Sequence, residues 1–128
     1  LRVGPYTSGD DIDYGPVVTA AAKANILKMI EGGIAAGADL VVDGRGFKLQ
    51  GYEDGFFVGP HLFDRVTPDM EIYQKEIFGP VLSCVRAASY EEALGLAMDH
   101  EMGNGTAIFT RDGDAARDFA SRVNVGMI

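Results

Sequence analysis

The sequence contains no tryptophan, a single cysteine and only two histidines. One thiol cannot close an internal disulfide, so nothing here asks for an oxidising compartment. Uninterrupted apolar stretches run to a handful of residues, far short of the ~20 that a membrane-spanning helix needs. Positive charge is scarce as well: 11 Lys and Arg stand against 19 Asp and Glu, for a net charge of −8. A field of that sign repels phosphate backbones and anionic lipid, so neither nucleic acid nor membrane is expected as a partner.

What the chain does have is enough material for a core. Its 128 residues are 47% hydrophobic and 23% charged, which excludes wholesale disorder. A chain of this size amounts to one domain and buries roughly two-thirds of the surface exposed when unfolded. Seventeen glycines point to a turn-rich α/β protein. Residue 1 is Leu, no basic-then-apolar leader precedes the folded pattern, and the chain stops in the apolar run Val123-Asn124-Val125-Gly126-Met127-Ile128. An apolar run that reads as the start of a strand sets the expectation of a piece cut from something longer.

Periodicity sets the elements. Residues 3–14 carry Gly4-Pro5, Ser8-Gly9 and several aspartates and read as a surface loop. Ile26, Met29, Ile30 and Ile34 recur at helical spacing, with Thr19 as N-cap and Gly37 as the stop. Strands are expected at Leu40-Val41-Val42 before the turn Asp43-Gly44, at Gly55-Phe56-Phe57-Val58, and at residues 80–87, the last being the longest apolar run and the expected central strand. Pro60 and Pro68 are expected to break the segment between. Ser89-Tyr90-Glu91-Glu92 has the spacing of a capping box ahead of a stripe of Ala93, Leu94, Ala97 and Met98. A strand at residues 105–110 and a helix capped by Asp112 or Asp114, carrying Ala116, Phe119, Ala120 and Val123, complete the pattern. Strands alternating with helices predict an α/β fold of three layers with a largely parallel sheet. No linker divides the chain.

Most chemistry-bearing patterns fail on their own spacing. His100-Glu101 begins like a zinc-protease helix but lacks the second histidine, and His61 has no companion ligand. Asp11, Asp13 and Gly15 imitate part of a calcium loop, yet Pro16 stands where its turn glycine belongs. No metal is expected. No serine lies in a G-x-S-x-G elbow, and Cys84 sits in an apolar run, where a thiol is a small hydrophobe rather than a nucleophile. Gly103-Asn104-Gly105-Thr106 precedes a strand, whereas a dinucleotide fingerprint must follow one. There remains Lys75-Glu76-Ile77-Phe78-Gly79-Pro80. A Phe-Gly-Pro corner kinks the chain into a strand, and the parity of Glu76 and Phe78 points both to one side. A carboxylate beside an aromatic ring suits sugar hydroxyls and a flat ligand. A turn with a solvated glutamate accounts for the same residues and is the plainer reading.

That hexapeptide with Val81 resembles the signature of the NAD(P)-dependent aldehyde dehydrogenase superfamily. Gly15-Pro16-Val17-Val18, Ala38-Asp39-Leu40-Val41-Val42-Asp43-Gly44, the run from Gly55 through Met70, and Ile108-Phe109-Thr110-Arg111-Asp112 resemble the same superfamily in order, so the likeness covers essentially the whole chain. Gly51-Tyr52-Glu53-Asp54-Gly55-Phe56-Phe57, Gly103-Asn104-Gly105-Thr106 and Val125-Gly126-Met127-Ile128 look most like the methylmalonate-semialdehyde dehydrogenases.

The resemblance implies an NAD-dependent, coenzyme A-acylating oxidation of methylmalonate or malonate semialdehyde with loss of CO2, serving valine breakdown in bacterial cytosol or mitochondrial matrix. It implies that residues 1–128 are part of the catalytic domain. The nucleophilic cysteine and the phosphate-binding half of the cofactor domain would lie upstream, and the segment that builds a homo-oligomer downstream. It implies that Glu76 hydrogen-bonds the nicotinamide ribose and that Phe78 packs near the nicotinamide ring, holding it against the bound thiohemiacetal. Cys84 does not inherit the nucleophile's role. A non-acylating aldehyde dehydrogenase and a non-catalytic α/β binding module are the alternatives.

Overall fold

Thr19 opens the first helix as its sequence demands: its hydroxyl oxygen accepts from the Ala22 amide at 3.0 Å, satisfying one of the donors a helix start leaves free. The computed structural model describes residues 1–128, the Asp10 side chain excepted. The helix, α1 (Ala20–Ala35), ends at Gly37, whose φ of 93° lies in the left-handed region that glycine enters without a Cβ clash. The amides of Gly37 and Ala38 there donate to Ile34 and Gly33, the paired bonds of a Schellman cap.

The chain divides into two compact units, Leu1–Val85 and Arg86–Ile128, although no change of composition marks the division. In the first unit α1 is followed by β1 (Asp39–Val42), β2 (His61–Asp64), the single-turn helix α2 (Glu71–Gln74) and β3 (Val81–Ser83). The strands lie in the order β1-β2-β3. β2 pairs antiparallel with β1, Leu40 opposite Phe63, with a bulge between Leu40 and Val42. It pairs parallel with β3, His61 opposite Val81 and Phe63 opposite Ser83. The α/β class therefore stands, and the sheet is mixed rather than largely parallel, because the β1–β2 connection returns without a helix.

Three local expectations are corrected. The central strand is β2, which was not expected at all, and the apolar run at residues 80–87 yields only the edge strand β3. Pro60 lacks an amide hydrogen, but it stands immediately before the ladder and costs it nothing. Gly55-Phe56-Phe57-Val58 is buried at Phe57 and Val58 yet forms no ladder, Phe56 accepting a single backbone bond from Val17. Residues 3–14 are not plain loop: Tyr6–Asp11 is a 3-10 stretch, closed by a bridge between Val3 and Tyr14.

Burial on β2 alternates, His61 and Phe63 inward and Leu62 and Asp64 less so. Phe63 is wholly buried among Ile26, Ile30, Val66 and Ile72, so α1, α2 and the sheet share one core.

The second unit holds α3 (Tyr90–Asp99) and α4 (Gly113–Arg122). Ser89 accepts from the Glu92 amide at 3.2 Å. Glu92 reaches back to the Ala88 amide at 2.6 Å, one residue earlier than a standard capping box. Asp112, not Asp114, caps α4, accepting from the amides of Asp114 and Ala115. Leu94, Phe119 and Val123 form the core, with Tyr90, Ala97 and Ile108 packed on it. Met98 and Ala120, expected on the apolar stripes, are exposed. Arg122 ties the helices by a two-pronged pair with Glu91. Residues 105–110, expected as a strand, lie outside any ladder, the Thr106 amide donating to the Met127 carbonyl.

Because Phe63 joins both helices of the first unit to the sheet, Phe63→Ala is expected to cost about 3–5 kcal/mol of stability. Urea unfolding of the chain measures it, and a loss under about 1 kcal/mol would contradict this account of the core.

Candidate functional site

The Glu-Ile-Phe-Gly-Pro corner is built by what lies on either side of it. Upstream, α2 is held short: Gln74 Nε2 donates to the Pro68 carbonyl at 3.0 Å, and Lys75 Nζ pairs with Glu71 at 2.7 Å. Lys75 then turns extended, with φ −112° and ψ 144°, and the chain leaves the helix. Downstream, the Val81 amide donates to the Gly79 carbonyl at 2.7 Å and the His61 amide to the Pro80 carbonyl at 2.9 Å. The second bond fastens the corner directly to β2.

Between those anchors the residues sort by burial. Ile77 enters the core of the first unit, whereas Glu76 and Phe78 on either side of it face solvent, Phe78 at 80% exposure. An aromatic ring left in water forgoes the burial that normally stabilises it. Phe78 also holds a φ of 57°, a left-handed conformation that costs a side chain with a Cβ about 1–2 kcal/mol. Gly79 allows the close approach that follows, since a Cβ there would lie 2.6 Å from Ile26 Cδ1. Glu76 makes no hydrogen bond or ion pair with a described residue. The corner thus presents a free carboxylate and an uncovered ring, at a cost the fold itself does not recover. An ionised carboxylate offers several acceptor sites, which suits the two hydroxyls of a ribose.

Beside the corner, an open and mainly apolar trough of about 480 Å³ is lined by Tyr14, Val17, Pro60, His61, Pro80 and Leu82. A second cleft, about 260 Å³, lies among Lys23, Arg45, Lys48, Tyr52 and Phe57. Two of its three cations are engaged: Arg45 pairs with Asp43 and Glu31, and Lys23 Nζ donates to the Gly55 carbonyl. Cys84 follows β3, half-buried rather than buried, its amide donating to Phe63. No group of three or more His, Cys, Asp or Glu side chains able to hold a metal occurs among the described residues.

The sequence profile of the aldehyde dehydrogenase family matches residues 1–128. The chain belongs to the aldehyde dehydrogenase family. Among members of that family it is 59% identical over its whole length to the malonate-semialdehyde dehydrogenase of Pseudomonas aeruginosa, of which it covers 26%. It is 47% identical over 121 residues to the mitochondrial, acylating methylmalonate-semialdehyde dehydrogenase of Arabidopsis thaliana, covering 94% of this chain and 20% of that protein. A Sinorhizobium meliloti protein assigned as a methylmalonate-semialdehyde dehydrogenase and solved with NAD superposes with a TM-score of 0.94. That match has 66% identity and covers 99% of this chain and 26% of the other. The chain therefore spans about a quarter of the aldehyde dehydrogenases it resembles.

Sequence reasoning placed Glu76 and Phe78, and the structure brings both to solvent around Ile77. His61, which the sequence offers only as a metal ligand without a companion, lies on the core face of the central strand. The available signal was the alternation of His61 and Phe63 with Leu62 and Asp64, masked by the proline just before it.

If Phe78 is held in its conformation against its own preference, Phe78→Gly stabilises the fold by about 0.5–1 kcal/mol once the freer unfolded chain is counted. Thermal or urea unfolding reads it, and a destabilised variant would show that the exposed ring packs usefully after all.

Proposed function

We propose that the complete protein, of which this chain is one part, is an NAD-dependent, coenzyme A-acylating dehydrogenase of methylmalonate or malonate semialdehyde. It would release CO2 and leave the acyl group on coenzyme A. The observation that carries the reading is the 59% identity, over all of this chain and 26% of the relative, to a malonate-semialdehyde dehydrogenase, with the family's box intact at an exposed corner. Residues 1–128 are read as part of the catalytic domain. The nucleophilic cysteine and the phosphate-binding half of the cofactor domain would precede them, and an oligomerising segment would follow.

Bound NAD supplies the hydride acceptor. The residues of this chain bind and orient it. Glu76 accepts hydrogen bonds from the ribose hydroxyls, and its two oxygens match a diol. Phe78, already uncovered and held in a left-handed conformation, would pack near the nicotinamide ring and help hold it in place. Fixing the ring near the reacting carbon is worth far more than the contact energy alone, because it removes orientational freedom before the reaction. Cys84 takes no part in the covalent step. The bacterial and mitochondrial relatives support bacterial cytosol or mitochondrial matrix as the setting.

In the full-length enzyme, Glu76→Gln is expected to raise the KM for NAD or lower kcat by about tenfold or more, the scale of losing hydrogen bonds to a charged acceptor. Unchanged steady-state kinetics would remove Glu76 from the cofactor site. Acyl-coenzyme A should form only when coenzyme A is supplied. Release of the free acid at full rate without it would identify a non-acylating enzyme. The isolated 128-residue chain should form no NADH from semialdehyde and NAD, and measurable activity would contradict its reading as part of a site.

A further inference from the structure

His61 is buried on the core face of β2, at 3% exposure. Its Nδ1 lies 2.9 Å from the Gly59 carbonyl oxygen. That oxygen can only accept, so Nδ1 carries the hydrogen and Nε2 of the neutral ring is a bare acceptor. Nε2 has no hydrogen-bond partner. A carboxylate oxygen, Asp43 Oδ1, lies 3.8 Å away, too far for a hydrogen bond and close enough for an ion pair once the ring is charged.

Asp43 is meanwhile held by Arg45. The guanidinium Nε lies 2.9 Å and Nη2 2.5 Å from its carboxylate, and the Arg45 amide adds a third contact at 3.0 Å. These bonds hold the Asp43 carboxyl well below the usual carboxylate range. Arg45 also reaches Glu31 on α1 at 2.6 Å. Tyr14 and the amino-terminal Leu1 flank His61 along the trough, and the Tyr14 hydroxyl is committed to the Val58 carbonyl at 2.9 Å. Burial pushes the His61 imidazole down from its usual value, so it is neutral near pH 7 and takes up a proton only on acidification.

A continuous set of contacts joins this ring to the corner. The Asp43 turn sits on the segment before β2 with no room to spare: a Cβ on Gly44 would stand 2.5 Å from the Gly59 carbonyl carbon and 2.6 Å from the Pro60 oxygen. The Asp43-Gly44 turn therefore packs directly against Gly59 and Pro60, the two residues before His61. From His61 the backbone amide runs to the Pro80 carbonyl, and Pro80 adjoins Gly79 and Phe78.

We propose that His61 is a positioning residue for the Glu76–Phe78 corner, holding it in place as a neutral ring and loosening it when a proton on Nε2 draws Asp43 away from Arg45. The inference rests on reading that corner as the nicotinamide ribose site. His61 touches no substrate and acts only through Gly59, Pro60 and Pro80. In the protonated enzyme the corner is competent in a smaller fraction of molecules, and the apparent affinity for NAD falls by that fraction.

The test compares full-length wild type with His61→Asn, whose amide can still donate to Gly59 but cannot titrate. Two readouts are taken at about pH 7.5 and at about pH 5, the second well below the ordinary histidine value because burial lowers that of His61: amide hydrogen exchange of the peptide over residues 76–82 without NAD, and the KM for NAD. Exchange is compared between the two proteins at each pH, which cancels its intrinsic pH dependence. In wild type the corner is expected to lose protection at the lower pH and KM to rise about threefold or more, whereas His61→Asn should show neither change. Equal pH responses in the two proteins overturn the proposal. A wild-type loss of protection with no change in KM upholds the role of His61 and instead removes the corner from the cofactor site. Should His61→Asn fail to fold, Asp43→Asn serves in its place. With no carboxylate for the charged ring to draw from Arg45, the pH response should be lost, and a response like that of wild type overturns the proposal.

Discussion

Strand β2 is four residues long and is the only strand hydrogen-bonded on both sides, so the first unit depends on its register. A one-residue slip would turn Phe63 and His61 outward and bring Leu62 and Asp64 into the core. Phe63 supplies the apolar part of that constraint, since it meets α1, α2 and the sheet at one point. His61 supplies the polar part through its ring bond to Gly59 and its backbone bond to Pro80. Both ends of the strand are consequently fixed by contacts that other elements share.

The candidate site draws its form from this arrangement. A left-handed Phe78 and an exposed ring would relax in a mobile loop. They persist because Ile77 is locked in the core, Gly79 is pressed against Ile26 and Pro80 is bonded to β2. Strain at a functional position is tolerated when the surroundings over-determine it, and here the determining residues are apolar neighbours rather than charges. The second unit is stabilised differently. Its core is three side chains, and the Arg122 pair with Glu91 and the Tyr90 bond to Asp118 join α3 to α4 across the surface. Such surface pairs are individually weak and screened by salt, so this unit should be the softer of the two.

How much of this was legible beforehand depended on how local the cause was. Caps are legible: Thr19 and Ser89 cap as expected, and Asp112 takes the place left open between it and Asp114, because a cap is decided within three residues. Gly37 likewise ended its helix. Ladder membership was read poorly. Gly55-Phe56-Phe57-Val58 and the run at residues 105–110 have strand composition, but a strand also needs a partner, and neither finds a ladder. His61-Leu62-Phe63-Asp64 has weaker composition and lies behind a proline, yet it takes the central place because β1 and β3 both reach it.

The sequence by itself determined family membership, the starts of α1, α3 and α4 and the end of α1, the net negative field and the pairing of Glu76 with Phe78 around an apolar residue. These follow from residue identity and short-range spacing. Only the tertiary structure decided which strand is central, that the sheet is mixed, that Phe78 is held in a left-handed conformation, and that His61 lies against Asp43 rather than at the surface. Each of those depends on contacts between residues about 20 or more positions apart, or on the backbone path such contacts impose, and no local pattern encodes which distant partner wins.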